Sequence, residues 1–206
     1  MRKRKVARGG NWLARWWSLL TPAVKKRIES HDWIEHVVVK KKWPHVLEII
    51  VRERKALAII NTQQGPYYVD KYSTVFARLD SKSDLDYPIL TGMEAMVSVN
   101  ENGVASVSDD HMMKECLRLI LSASNGSSSF PRQNISQIHL NKENKLVLFL
   151  TDRPFPIYLG EEISSEKFNR LKKVLYFLYK KKEFANVDYI RLDYLENKVL
   201  VGKNNS

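Results

Sequence analysis

With 206 residues, 44% of them apolar and 28% charged, the chain can form one large domain or two small ones and is not composed like a disordered protein. Its 34 Lys and Arg against 23 Asp and Glu leave a formal charge of +11, which suits nucleic acid, an anionic membrane surface or an acidic partner without choosing among them. Cys116 is the single cysteine, which excludes an intrachain disulfide and a thiolate zinc cluster, and no apolar run reaches the roughly 18 residues of a membrane-crossing helix.

The chain opens on MRKRKVARGG, five cations without an acid. This would serve as the charged region of a signal peptide, but the following NWLARWWSLL carries Arg15 and has no small-residue cleavage site. Trp12, Trp16 and Trp17 either anchor this segment on a membrane surface or open a packed amphipathic element. Thr21 then suits an N-cap and Pro22 a first helical position, with Val24 and Ile28 on one face of a short helix. Beyond it, Trp33, Val37 and Val39 alternate with more polar neighbours. Past Trp43-Pro44, so do Leu47, Ile49 and Val51 with Glu48, Arg52 and Arg54. The alternation predicts two half-buried strands joined by a turn that holds Pro44. In the KKKW stretch between them, Lys40 and Lys42 share one face while Lys41 shares the other with Trp43. With Glu48 and Glu53 close behind, this fits a solvated hairpin corner better than a phosphate groove with stacking aromatics.

A second domain is expected from about residue 58, where strands shorten and turn signals crowd: Gly65-Pro66, Asp70-Lys71 and the loop DSKSDLDYPILTG. A helix over 109–124 places Ser108 as cap and Asp109 and Asp110 at the positive end of the dipole. Met113, Cys116, Leu117 and Ile120 then share one face. After the SNGSSSFPRQ loop come strands at ISQIHL, KLVLFLT and FPIYLG, the middle one apolar on both faces and so central in its sheet. The next helix, SEKFNRLKKVLYFLYKKK, turns Phe168, Leu171, Leu175 and Leu178 to one side and ends in lysines, where the dipole favours cations. VDYIRLDY and KVLVG, joined through Leu195, Glu196 and Asn197, close the chain as a last pair of strands before a polar tail.

Signatures for nucleotide, phosphate, hydrolase or zinc-protease chemistry are missing from the sequence. His111 and Cys116 are spaced poorly for chelation from one helical face. Asp109 and Asp110, being adjacent, face apart and suit the helix dipole better than a catalytic pair. Cys116 sits among apolar residues and reads as a buried inert thiol. The expectation is an α+β protein without a catalytic site, metal or cofactor.

The stretch HDWIEHVVVKKKWPHVLEIIVRERKALAII resembles the POTRA domain of FtsQ/DivIB, the bacterial cell-division proteins. Trp33 and Ile34 take the place of the usual Trp-Val, Trp43 and Pro44 match the turn, and Leu47, Ile49, Val51, Glu53 and Arg54 match the strand. YYVDKYSTVF is similar to a family stretch in which glycine is common where Ser73 or Thr74 stands here. YPILTG, FNRLKKVL and VDYIRLDYLENKVLVG follow in the family's order. The resemblance implies a basic, Trp-rich segment at 1–17, a partial POTRA domain at 18–57, a mostly antiparallel β domain with two helices at 58–202, and a polar tail at 203–206. It also implies a non-enzymatic scaffold on the outer side of the bacterial inner membrane, at the division septum, that holds an FtsB/FtsL-type pair. Family members carry a transmembrane anchor and a first POTRA strand before the helix placed here at Thr21. Both are expected to be missing, through a start assigned too far downstream or a truncated gene.

Within that frame, the final strands are the candidate partner-binding surface: Tyr189, Arg191, Tyr194, Lys198, Val199 and Val201. An edge strand can accept a partner strand while alternate side chains give specificity. Tyr194 would supply aromatic contact, and Arg191 or Lys198 would meet acidic residues. A hairpin that merely closes its own sheet fits the same residues. A basic nucleic-acid-binding protein using MRKRKVAR and KKKW is the alternative function, and a peripheral membrane protein held by the N-terminal Trp and Arg residues is another.

Overall fold

The computed structural model describes residues 22–42, 46–80, 86–100, 105–107, 110–124, 134–153, 155–194 and 198–203. Thr21, Trp43, Pro44, Ser108, Asp109, the linker 195–197 and the N-terminal tryptophans lie outside the described residues. The chain divides into two compact units at Arg54/Lys55.

In the first unit, helix α1 (residues 22–29) precedes an antiparallel pair, β1 (Ile34–Lys42) and β2 (Val46–Glu53). Glu29 near the helix end accepts the N–H of Val37 at 3.1 Å and faces Nδ1 of His36 at 3.2 Å, which fixes the helix against β1. Val37 is fully buried. The register sets Lys40 opposite Glu48, and Lys42 Nζ reaches that carboxylate at 2.8 Å. Lys42 of the hairpin therefore meets an acid.

One expectation needs correction. Leu47 is half-buried, but Ile49 and Val51 are exposed, as are Val46 and Ile50 on the other face of β2. Alternation sets which side chains share a face, whereas burial requires something to cover that face. Within this unit the described residues supply only one short helix. Trp33 is also exposed, and its carbonyl accepts the N–H of Arg54 at 2.8 Å.

The second unit is built on a nine-stranded mixed sheet. Its strands are β3 (Ala56–Thr62), β4 (Gly65–Asp70), β5 (Val75–Arg78), β6 (Ile89–Thr91), β9 (Ile135–Leu140), β10 (Leu146–Leu150), β11 (Ile157–Gly160), β12 (Val187–Arg191) and β13 (Leu200–Lys203). A separate small hairpin pairs β7 (Val97–Val99) with β8 (Ala105–Val107). The spatial order is β13-β12-β11-β10-β9-β6-β3-β4-β5. Neighbours are antiparallel except at β3/β6, β6/β9 and β11/β12.

Parallel neighbours need a long crossover, and both helices of this unit lie in one. Helix α2 (Asp110–Ser124) falls between β6 and β9, and α3 (Ser165–Lys181) joins β11 to β12. Their apolar faces join one core with the sheet. Met113, Cys116, Leu117 and Ile120 from α2 and Phe168, Leu171, Leu175 and Leu178 from α3 are all buried there, with Ile138, Leu148 and Ile190. Ser164 caps α3 by accepting the N–H of Lys167 at 3.1 Å. β10 lies between β9 and β11 with four of its five residues buried, as its double-sided apolar pattern predicts.

Two turns explain motif residues. Asp70 Oδ1 accepts the N–H groups of Tyr72 and Thr74 at 2.9 and 3.0 Å. This bends the β4–β5 turn and leaves Ser73 at φ 65°. It is thus Ser73 that occupies the left-handed position glycine fills without steric cost. Gly92, at φ 79°, lies so close to β9 that a β-carbon would fall 2.9 Å from the carbonyl carbon of Leu140.

Candidate partner-binding edge

β13 ends the sheet, and no described strand pairs with its outer edge. The opposite end differs, because Val75, Phe76 and Ala77 of β5 are buried. In β13, by contrast, no residue is buried: Val201 and Gly202 are half-buried, and Leu200 and Lys203 are exposed. Unpaired N–H and C=O groups at such an edge form a template for another strand.

β13 pairs antiparallel with β12, with Ile190 opposite Val201, Arg191 opposite Leu200 and Tyr189 opposite Gly202. Successive side chains point to opposite faces. Val199 and Val201 are half-buried and pack against the core, on the face covered by the helices. Lys203, in the same alternation, pairs with Glu183 just beyond α3 at 2.7 Å. Leu200 points the other way and is 43% exposed.

On that open face the ring of Tyr189 lies over Gly202. A β-carbon at Gly202 would stand 2.6 Å from Cζ and 2.8 Å from Cδ1 of the ring. Arg191 donates from Nε and Nη2 to the carboxylate of Asp193 at 3.0 and 2.9 Å, and its guanidinium sits 4.7 Å from the centre of the Tyr158 ring. The hydrogen bond from Arg191 holds the Asp193 carboxyl below the usual aspartate range, against the opposing effect of burial. Tyr194, 67% exposed, and exposed Lys198 flank the linker 195–197.

The six candidate residues are therefore brought to one sheet edge, with different jobs. Tyr194 and Lys198 are presented to solvent, Val199 and Val201 hold the strand to the core, and Tyr189 and Arg191 are engaged inside the edge. Because Arg191 is already bound twice by Asp193, Lys198 is the better placed cation for an acidic partner. The sequence reading, which spans Tyr189 to Tyr194 and Lys198 to Val201, gave no role to Asp193 or Leu200 and passed over Gly202 and Tyr158. Asp193 alone left a signal: it stands two residues from Arg191, the spacing that puts both on one face of a strand. The others depend on register, which the local pattern does not carry.

Elsewhere, a cleft of about 350 Å³ lies between the helices, lined by Glu115, Arg118, Ser164, Phe168 and Lys172 among others. Buried Glu115 pairs there with Arg118. Cys116 is fully buried, and desolvation first, then the Glu115 charge, pushes its thiol far up. Among the described residues no group of three His, Cys, Asp or Glu is placed to hold a metal. No described helix is long and apolar enough to cross a membrane.

A small helix-and-hairpin unit followed by a mixed sheet carrying two crossover helices defines a POTRA-plus-β-domain class of protein. Family models agree: residues 9–54 match the POTRA domain, FtsQ-type, and residues 55–201 match FtsQ/DivIB, C-terminal related. The chain belongs to the FtsQ/DivIB family. It is 33% identical over 181 residues to the cell division protein FtsQ of Geobacter sp. (strain M21), covering 87% of this chain and 62% of that protein. It is 29% identical over 183 residues to FtsQ of Geotalea daltonii, covering 88% and 62%. With FtsQ of Syntrophotalea carbinolica the identity is 30% over 169 residues, covering 81% and 56%. The chain thus spans less than two thirds of the length of these relatives.

Proposed function

We propose that this chain works in bacterial cell division as a non-enzymatic scaffold, accepting a strand of a partner division protein along the outer edge of β13. The observation that carries this reading is a difference between the two strands that end the sheet: the side chains of Val75, Phe76 and Ala77 on β5 are buried, while β13, unpaired on its outer side among the described residues, is flanked by exposed Tyr194, Lys198 and Leu200. Added main-chain hydrogen bonds would supply affinity, and Leu200, Tyr194 and Lys198 would supply selectivity. The family resemblance supports an FtsB/FtsL-type pair as the partner. It also supports a place at the septum, with the bulk of the chain on the extracytoplasmic side of the inner membrane.

The test is binding of the full chain to the extracytoplasmic part of an FtsB/FtsL pair from the same organism. Consecutive strand residues aim their N–H groups at opposite edges. Of Leu200→Pro and Val201→Pro, one therefore breaks a bond to β12 and the other removes only an outward donor. The variant that melts like the parent should lose binding, and Tyr194→Ala should weaken it about tenfold or more, as expected of an aromatic anchor. Unchanged binding by a normally folded proline variant and by Tyr194→Ala would refute the edge as the site.

A further inference from the structure

The outward face of α3 plays no part in the core or in the β13 edge, and its chemistry is unusual. Between Lys167 and Lys182 the chain has no acid and seven cations: Lys167, Arg170, Lys172, Lys173, Lys180, Lys181 and Lys182. Since Phe168, Leu171, Leu175 and Leu178 face the core, the 100° step per residue places Lys173 and Lys180 at the centre of the opposite face. Tyr176 and Phe177 flank that centre and are 57% and 53% exposed. Lys181 Nζ lies 5.2 Å from the centre of the Phe177 ring. The nearest following acid, Glu183, is already paired with Lys203.

We infer that this face of α3 docks on an anionic lipid surface, with the lysines meeting headgroup phosphates and Tyr176 and Phe177 seated at headgroup depth. Three features select lipid as the occupant. The cations of the C-terminal half are all lysine, flexible point charges that suit a diffuse anionic plane, whereas planar bidentate sites favour arginine. Protein interfaces take up aromatics but are depleted in lysine. Two exposed rings beside a lysine row match the residues enriched where a polypeptide meets a bilayer surface. Because the helix is pinned to its own sheet by its apolar side, it adsorbs as a rigid plate instead of inserting.

The experiment is cosedimentation of the full chain with phosphatidylglycerol-containing vesicles and with purely zwitterionic ones, at low and physiological salt. The parent, Lys173→Gln/Lys180→Gln/Lys181→Gln and Tyr176→Ser/Phe177→Ser are compared, with melting curves as the folding control. At roughly a factor of five per lysine near an anionic surface, the triple variant should partition about a hundredfold more weakly and lose most of its salt dependence. The aromatic variant should weaken binding while keeping that dependence. Equal binding by parent and triple variant would overturn the proposal and assign any vesicle affinity to the basic N-terminal residues. An aromatic variant indistinguishable from the parent on vesicles, with duplex DNA bound as well as lipid, would overturn it in favour of a general polyanion patch.

Discussion

Gly202→Ala gives the sharpest check on the β12–β13 edge. The new methyl would lie 2.6 Å from Cζ and 2.8 Å from Cδ1 of Tyr189, inside van der Waals contact, so the ring must leave its place. Overpacking costs roughly 1–3 kcal/mol. Tyr189 is only half-buried on an open face and can swing outward, which puts the loss near the low end, about 1 kcal/mol. For a unit of this size that lowers the melting temperature by roughly 2–4 °C. In a Tyr189→Ala background the obstacle is gone, and replacing glycine restricts the unfolded chain, so the same substitution should stabilise by about 0.5 kcal/mol. Urea denaturation of the four proteins in this cycle measures the coupling. A Gly202→Ala effect of the same sign and size in both backgrounds would refute the stacking of Tyr189 on Gly202.

Ser73→Gly should stabilise the protein by about 1 kcal/mol, because Ser73 sits at φ 65° and its buried hydroxyl has no partner among the described residues; a lower urea midpoint would contradict this. Asp193→Asn should destabilise at neutral pH. The folded carboxyl titrates below its unfolded value, so its contribution is complete above the ordinary aspartate value of about 3.9 and lost as pH falls through the lower folded value. Melting curves of parent and variant should therefore converge in acid, and a constant gap would count against the Arg191–Asp193 pair. Cys116 should resist thiol reagents in the native protein and react at once in denaturant, since the thiol is buried and desolvation opposes its ionisation; rapid native labelling would show that α2 opens.

Local patterns were legible wherever they describe the element itself. The strand ISQIHL coincides with β9, and the apolar face assigned to α3 is the one that is buried, because periods of 2 and 3.6 follow from backbone geometry. The edge was legible as residues but not as roles. The sequence assigns Tyr189, Arg191, Lys198 and Val201 to its last two strands, although Lys198 falls just before β13; it does not show that Arg191 is held by Asp193 and Tyr158 or that Tyr189 lies on Gly202.

The sequence by itself determined the helices, most strand positions, the apolar faces of α2 and α3, and the motifs that mark the family, since these depend on neighbours within a few residues. Only the tertiary structure decided the order β9-β6-β3, the exposure of Ile49 and Val51, and the exposure of Leu200 on the strand that ends the sheet. Those outcomes depend on register and on what covers each face, and both are set between segments far apart in the chain.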